Sequence, residues 1–194
     1  MLPRLTNPRP WQPLDDAELA ALIPFFTRQG SGRPIFDIRA RLDAILWVAC
    51  HNGPWKDLPT EMGPADTASR QFRRWTHAGV WSRLLKAVAD PRAPAALRRL
   101  EHWICRAYRR ALRILKLAGI VLARRLGLHS ALNAPAHLLP DPDLSKTLMP
   151  LVQAKVAALI GRCDRGMIPV LRLARAAHQL CGGRSRLPRW MAPP

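Results

Sequence analysis

The sequence predicts an all-α fold: a helix-turn-helix domain of about four helices, followed by a long basic helix and a helical hairpin. Three observations predict it. Apolar residues recur at spacings of three and four through most of the 194 residues. Helix-starting aspartates stand before these runs at Asp15, Asp37 and Asp57. Turn signals separate the runs at Asn52-Gly53-Pro54, Gly63-Pro64 and Asp90-Pro91.

Residues 1–10 hold three prolines and two arginines and read as an extended arm, leading to Trp11. No apolar segment suited to a secretory signal occurs in this stretch, and a cytoplasmic, nucleoid-associated bacterial protein is expected. Asp15 and Glu18 form a capping-box pattern ahead of Leu19, Leu22, Ile23 and Phe26, the first helix, within which Pro24 should kink or shorten the end. Residues 28–34 are a polar, glycine-containing loop in which Arg33 could reach a phosphate. Asp37 caps a second helix whose stripe Ile38, Leu42, Ile45, Leu46 and Ala49 belongs to the core, with Gly53 expected as its left-handed C-terminal cap.

Trp55 to Met62 follow, with Lys56 a candidate DNA contact and Asp57 expected to cap a helix of little more than one turn. Gly63-Pro64 then turns the chain into a basic helix for which Asp66 or Thr67 is the expected N-cap. On that helix Ala68, Phe72 and Trp75 share one side, with Gly79 in line at its end. Thr67, Arg70, Arg73, Arg74 and His77 share the other, and these five with Gln71 are the candidate DNA contacts of the helix. A short helix, a glycine-containing turn and a helix with a cationic outer face make a helix-turn-helix pattern, and arginines on such a face can meet phosphates and guanine edges. The competing expectation is an ordinary amphipathic helix with a solvated face. Val80, Leu84, Leu85 and Val88 then mark a fourth core-facing helix, and Trp81 is expected to close the domain.

After the Asp90–Pro94 boundary a heptad-like series, Leu97, Leu100, Ile104, Ala107, Ala111, Ile114, Ala118 and Val121, predicts one long helix over 95–126. Arg106, Arg109, Arg110 and Arg113 on it are candidates for tracking phosphates, and the heptad series offers a homodimer seam. Residues 127–145 read as a proline-rich connector. A hairpin of helices over 146–162 and 164–180 follows, pairing Val152, Val156, Leu159 and Ile160 with Ile168, Leu171, Ala174 and Leu180, before an unstructured tail over 184–194.

The formal net charge of +18 points to a polyanionic partner, nucleic acid or an acidic membrane surface. It is unevenly spread. Residues 1–90 carry 12 Lys plus Arg against 9 Asp plus Glu, and residues 91–194 carry 19 against 4. Cys50, Cys105, Cys163 and Cys181 form no Cys-x-x-Cys pair, and the spacing of Cys163, His178 and Cys181 matches no zinc finger. No metal or other cofactor is expected.

A resemblance joins these elements. Trp11, Leu14, Asp16-Ala17-Glu18, Gly32-Arg33-Pro34, Asp37-Ile38-Arg39, Leu42 to Leu46, Gly53 to Pro59, Phe72 to Trp75 and Gly79-Val80-Trp81 together resemble the N-terminal domain of bacterial insertion-sequence transposases. The resemblance covers 11–89 and implies a helix-turn-helix module of the kind placed ahead of a DDE nuclease core. The chain departs from it at Ala65, where the family carries a bulkier residue, and at Ser69, often aromatic there. A DDE core needs three strand-borne carboxylates holding two metal ions. Beyond residue 90 the acids are Glu101, Asp141, Asp143 and Asp164, none preceded by a β-branched run, so no catalytic residues are expected.

Three readings follow. The chain is a non-catalytic, double-stranded-DNA-binding product of an insertion element that recognises element ends, either a truncated transposase or the first of two reading frames whose partner is a separately encoded catalytic transposase subunit. Alternatively it is a stand-alone DNA-binding regulator. In the third, its second half is a basic helical module for partner or membrane surfaces, although no segment is apolar enough to cross a bilayer.

Overall fold

The structure, a computed structural model, describes residues 4–26, 37–158 and 167–183. Apart from one bridge between Arg4 and Leu128, the regular elements among them are helical. The chain divides into two compact units, residues 1–133 and 134–194.

In the first unit, α1 (Asp16–Phe26) opens with the reciprocal capping box that its sequence predicts. Asp15 Oδ1 accepts from the Glu18 amide at 2.6 Å, and Glu18 Oε2 accepts from the Asp15 amide at 3.3 Å. The helix runs two residues past Pro24, a proline position near the C-terminal end where little ladder remains to lose. α2 (Ile38–His51) is capped by Asp37, whose carboxylate accepts from the Ala40 amide at 2.9 Å, and buries Leu42, Ala44, Ile45, Leu46, Val48 and Ala49. Its left-handed cap is Asn52 (φ 59°) rather than Gly53, because the side-chain amide of Asn tolerates that conformation better than other non-glycine residues.

The short helix expected over 57–62 is instead two 3-10 turns, Trp55–Asp57 and Thr60–Met62, split by Pro59, which cannot donate a backbone hydrogen bond. α3 (Ala65–His77) starts one turn signal earlier than expected. Pro64 occupies the N-cap position, and neither Asp66 nor Thr67 caps a helix amide. Gly79 (φ 72°) makes the tight turn into α4 (Val80–Ala89), which buries Val80, Trp81, Leu84, Leu85, Val88 and Ala89.

The packed unit continues beyond Asp90–Pro94. α5 (Ala95–Arg99) packs on α1, and α6 (Glu101–Arg125) packs on α2, α3 and α4. Leu97, Leu100, Ile104, Ala107 and Ala111, spaced like a seam for a second chain, are buried within this unit, as are Trp103, Cys105 and Tyr108. The single long helix of the sequence prediction is interrupted twice. Leu100 separates α5 from α6, and Lys116 (φ 53°, ψ −138°) breaks α6 sharply. The segment after the break lies back against the one before it. A Cβ on Gly119 would stand 2.8 Å from Leu115 Cβ and 2.6 Å from Leu112 Cδ2, so glycine favours this approach, and the Tyr108 hydroxyl donates to the Gly119 carbonyl at 3.0 Å. Burial pushes the Tyr108 hydroxyl pKa up to about 12, so it remains a donor at neutral pH.

The N-terminal arm is held down along α6. Arg4 exchanges backbone hydrogen bonds with Gly127 and His129, Thr6 accepts or donates at His102, and the Trp103 indole donates to the Arg9 carbonyl at 3.1 Å. Arg9 stacks 4.1 Å from the Trp103 ring and donates at 2.7 Å to Glu18, whose side chain is wholly buried. Arg99 approaches the same carboxylate at 3.7 Å and bonds Asp15 at 3.0 Å. One buried carboxylate thus joins the arm, α1 and α5.

The second unit contains α7 (Pro142–Ala157), capped by Asp141 through the Leu144 amide at 3.0 Å, and α8 (Met167–Gly182) packed on it. The Asp141 amide in turn donates to the Cys181 carbonyl at 2.8 Å. The inner face of α8 is Ala177 and Cys181 with half-buried Val170 and Ala174, whereas Ile168, Leu171 and Leu180 of the predicted pairing are exposed. Small residues at 174, 177 and 181 allow the closer approach, which rotates the larger side chains outward. Leu159 and Ile160 lie outside the described residues.

Two stability outcomes follow. Glu18→Ala leaves the Arg9 guanidinium without its buried counter-charge and is expected to destabilise the chain by about 3–5 kcal/mol in urea titrations. Lys116→Gly removes the strain of a side chain at positive φ and should raise stability by about 1 kcal/mol; a lower melting temperature would contradict the strained break.

Candidate nucleic-acid interface

The candidate interface is built on α3, and aromatic packing orients that helix. Phe72 and Trp75 are buried against Trp81, with ring centroids 5.3 and 6.4 Å away. Phe26 of α1 meets Trp75 at 4.4 Å and Trp81 at 5.7 Å, and Trp55 meets Phe72 at 5.5 Å. Such ring pairs are each worth about 0.5–1.5 kcal/mol beyond the area they bury. With that side inward, Thr67, Arg70, Arg73, Arg74 and His77 all emerge on one exposed face, and Gln71 lies half-buried at its edge.

The side chains on that face differ in their partners. Arg70 pairs with Asp66 one turn earlier, whereas Arg73 and Arg74 make no ion pair or side-chain hydrogen bond among the described residues. Thr76 is buried and returns its hydroxyl to the Phe72 carbonyl at 2.8 Å. Ser69 is buried too, so its side chain belongs to the packing under the helix and not to the exposed face.

Arg83 extends this cationic surface, and the sequence reading missed it. From α4 it donates to the Ala78 carbonyl at 2.8 Å, placing an exposed guanidinium at the C-terminal end of α3. Its position four residues after the Gly79 turn was the available signal, since a cation there can satisfy a terminal helix carbonyl. Lys56 is exposed on the first 3-10 turn, while Arg33 lies outside the described residues.

The arginines of α6 are placed otherwise. Arg106 donates to the Cys50 carbonyl at 3.1 Å and Arg110 to the Gly53 carbonyl at 2.9 Å, so both satisfy backbone groups at the C-terminal end of α2. Arg110 also covers the Trp55 ring at 4.6 Å, and Arg109 donates to the Asn133 carbonyl at 3.3 Å. All three are half-buried. Burial first, and then the neighbouring cations Arg106 and Arg113, lower the guanidinium pKa of Arg109 and Arg110 respectively. Arg113, one turn on, is exposed and without a partner among the described residues.

The acids beyond residue 90 are dispersed. Glu101 pairs with Arg4 at 3.2 Å, Asp141 caps α7, Asp143 lies 4.0 Å from Lys146, and Asp164 falls outside the described residues. Among the described residues no three His, Cys, Asp or Glu side chains group to hold a metal ion, and no helix is long and apolar enough to cross a membrane. Cys50 and Cys105 are free thiols whose pKa burial raises to about 12.

Residues 14–85 match a protein family described as "Putative transposase of IS4/5 family". The chain is 34% identical over 71 residues to the uncharacterized protein y4sN of Sinorhizobium fredii, a match covering 37% of this chain and 56% of that one. It is 39% identical over 82 residues to the insertion element IS402 uncharacterized 16.2 kDa protein of Burkholderia cepacia, covering 38% of this chain and 56% of that one. The chain thus spans about half the length of these curated relatives. No solved structure matches it.

Neighbouring arginines on α6 should behave differently under substitution. Arg110→Ala leaves the Gly53 carbonyl unsatisfied and uncovers Trp55, and is expected to cost about 1–3 kcal/mol of stability. Arg113→Ala should fall within about 0.5 kcal/mol of the parent. Equal melting temperatures for the two variants would refute the assignment of Arg110 to the fold.

Proposed function

We propose that the chain is a non-catalytic, insertion-element protein that binds double-stranded DNA at element ends through the exposed face of α3. The match of its first half to the transposase family described above is the premise. The observation that carries the reading is the pair of opposite faces on α3: aromatic anchors inside, and Thr67, Arg70, Arg73, Arg74 and His77 outside. A helix about 10–12 Å across, with its outer face cationic, fits a major groove about 12 Å wide.

In this reading Arg73 and Arg74 neutralise phosphates, and His77 and Arg83 extend the contact past the end of the helix. Gln71 and Thr67 supply further hydrogen-bonding groups at its sides. Arg113 and Lys56 are flanking phosphate contacts. Arg106 and Arg110 act indirectly, by holding the end of α2 and the first 3-10 turn against which α3 rests, and Arg109 is committed to the Asn133 carbonyl. Strand cutting belongs to a separately encoded catalytic polypeptide, since the carboxylates Glu101 and Asp141 already serve an ion pair and a helix cap. The protein works in the bacterial cytoplasm, at the nucleoid.

Fluorescence anisotropy with a duplex bearing the element end tests the interface. Joint Arg73→Ala and Arg74→Ala substitution should weaken binding at least about tenfold and reduce the slope of log affinity against log salt by about two. Unchanged affinity would remove α3 from the interface. Supercoiled plasmid incubated with the pure protein and magnesium or manganese should stay intact, and reproducible nicking would overturn the non-catalytic reading.

A further inference from the structure

We propose that Asp66 is a specificity-determining residue, holding the Arg70 guanidinium in the pose that reads one guanine. The inference rests on α3 being the DNA-facing helix. Asp66 Oδ2 lies 2.5 Å from Arg70 Nη2, one helical turn away, and both side chains are more than 70% exposed. Their exposure means that the pair is held by its own contact. Asp66 accepts no hydrogen bond from the α3 amides, because the helix starts at Ala65 behind Pro64. Its carboxylate is therefore available to Arg70.

An unpartnered exposed arginine samples many rotamers and suits a phosphate, which can be met from many directions. A guanine edge requires two parallel N–H donors aimed at O6 and N7 in the plane of the base. The guanidinium has five donors in a rigid plane, so a carboxylate on one edge leaves another free and fixes the plane. Among the described residues Arg73 and Arg74 lack such a partner, and this divides the face. Arg70 selects a base, and the two arginines of the next turn supply affinity. The location agrees, since Asp66 and Arg70 occupy the first turns of α3, the part of a groove-docked helix that meets base edges. Gly63 (φ 90°) leads the chain into that end, and among the described residues nothing beyond its chain neighbours lies within 4 Å of where its Cβ would stand.

The carboxylate also opposes binding to DNA in general. Placed beside the phosphates it repels them, so it weakens association with every sequence, and the loss is offset only where Arg70 finds guanine. A carboxylate near a helix N-terminus has in addition a favourable interaction with the helix dipole, which predicts a stability effect and no change of base preference. The two roles are separable by experiment.

Binding-site selection from a random duplex pool, run in parallel on the parent chain, Asp66→Ala, Asp66→Asn and Arg70→Ala, makes the test. The parent should enrich a site with one position dominated by guanine. Asp66→Ala should relax that position by about tenfold or more while its affinity for random duplex stays equal or rises. Arg70→Ala should lose the same position, and Asp66→Asn, which keeps an acceptor, should fall between. Identical enriched sites for the parent and Asp66→Ala would overturn the proposal, as would a parent chain that enriches nothing. Circular dichroism melts establish that each variant is folded. If Arg73→Ala with Arg74→Ala still weakens binding while Asp66→Ala leaves base preference intact, the pairing role alone fails. If none of these variants affects binding, the helix assignment fails with it.

Discussion

Burial of Phe72 and Trp75 against Trp81, Phe26 and Trp55 is the contact on which the geometry of the first unit depends. Each of these rings contributes about 1.5–3 kcal/mol through burial, whereas an exposed pair such as Asp66–Arg70 contributes at most about 1 kcal/mol. Packing therefore decides how α3 is rotated, and the charges take the side that remains. The same cluster gathers residues from α1, the first 3-10 turn, α3 and α4, so four of the elements within the stretch that matches the transposase family converge on one set of rings.

Much of this was legible because local chemistry and global packing agree. The Asp15–Glu18 capping box, the Asp37 cap, the α2 stripe and the two faces of α3 all follow from spacing alone. Other features required tertiary information. Leu97, Leu100, Ile104, Ala107 and Ala111 have the same spacing whether they meet a second chain or the helices of their own unit, and here they meet the latter. Arg106 and Arg110 look like Arg113 in sequence, yet only the first two lie over the open carbonyls of Cys50 and Gly53. The break at Lys116 carried no glycine or proline to announce it. Its cause is the fold-back that brings Gly119 against Leu112, a contact visible only in three dimensions.

The charge excess of the second half acquires a different meaning in this setting. Guanidinium groups on α6 cover an indole and satisfy backbone carbonyls, and their desolvation lowers the pKa of Arg109 and Arg110. Net charge measured on the sequence therefore overstates what faces solvent. A half-buried guanidinium bonded to a carbonyl keeps its charge and its long-range attraction for polyanions, but it cannot leave to contact a phosphate without uncovering the group it satisfies. The exposed, unpartnered Arg73, Arg74 and Arg113 have no such commitment.

This division links α6 to α3 more closely than shared positive charge would. Arg110 bonds the Gly53 carbonyl and covers Trp55, Trp55 packs on Phe72, and Phe72 anchors α3. The 3-10 turns between α2 and α3 have few hydrogen bonds of their own, so their position depends on that lid. The separation between Gly53 and the side chain of Asp57 is tight enough that a Cβ at 53 would stand 2.9 Å from Asp57 Oδ2, which keeps the turn compact. A long basic helix can thus shape the outer face of α3 from behind: it fixes the connector, the connector fixes the aromatic anchors, and the anchors decide which residues of α3 look outward.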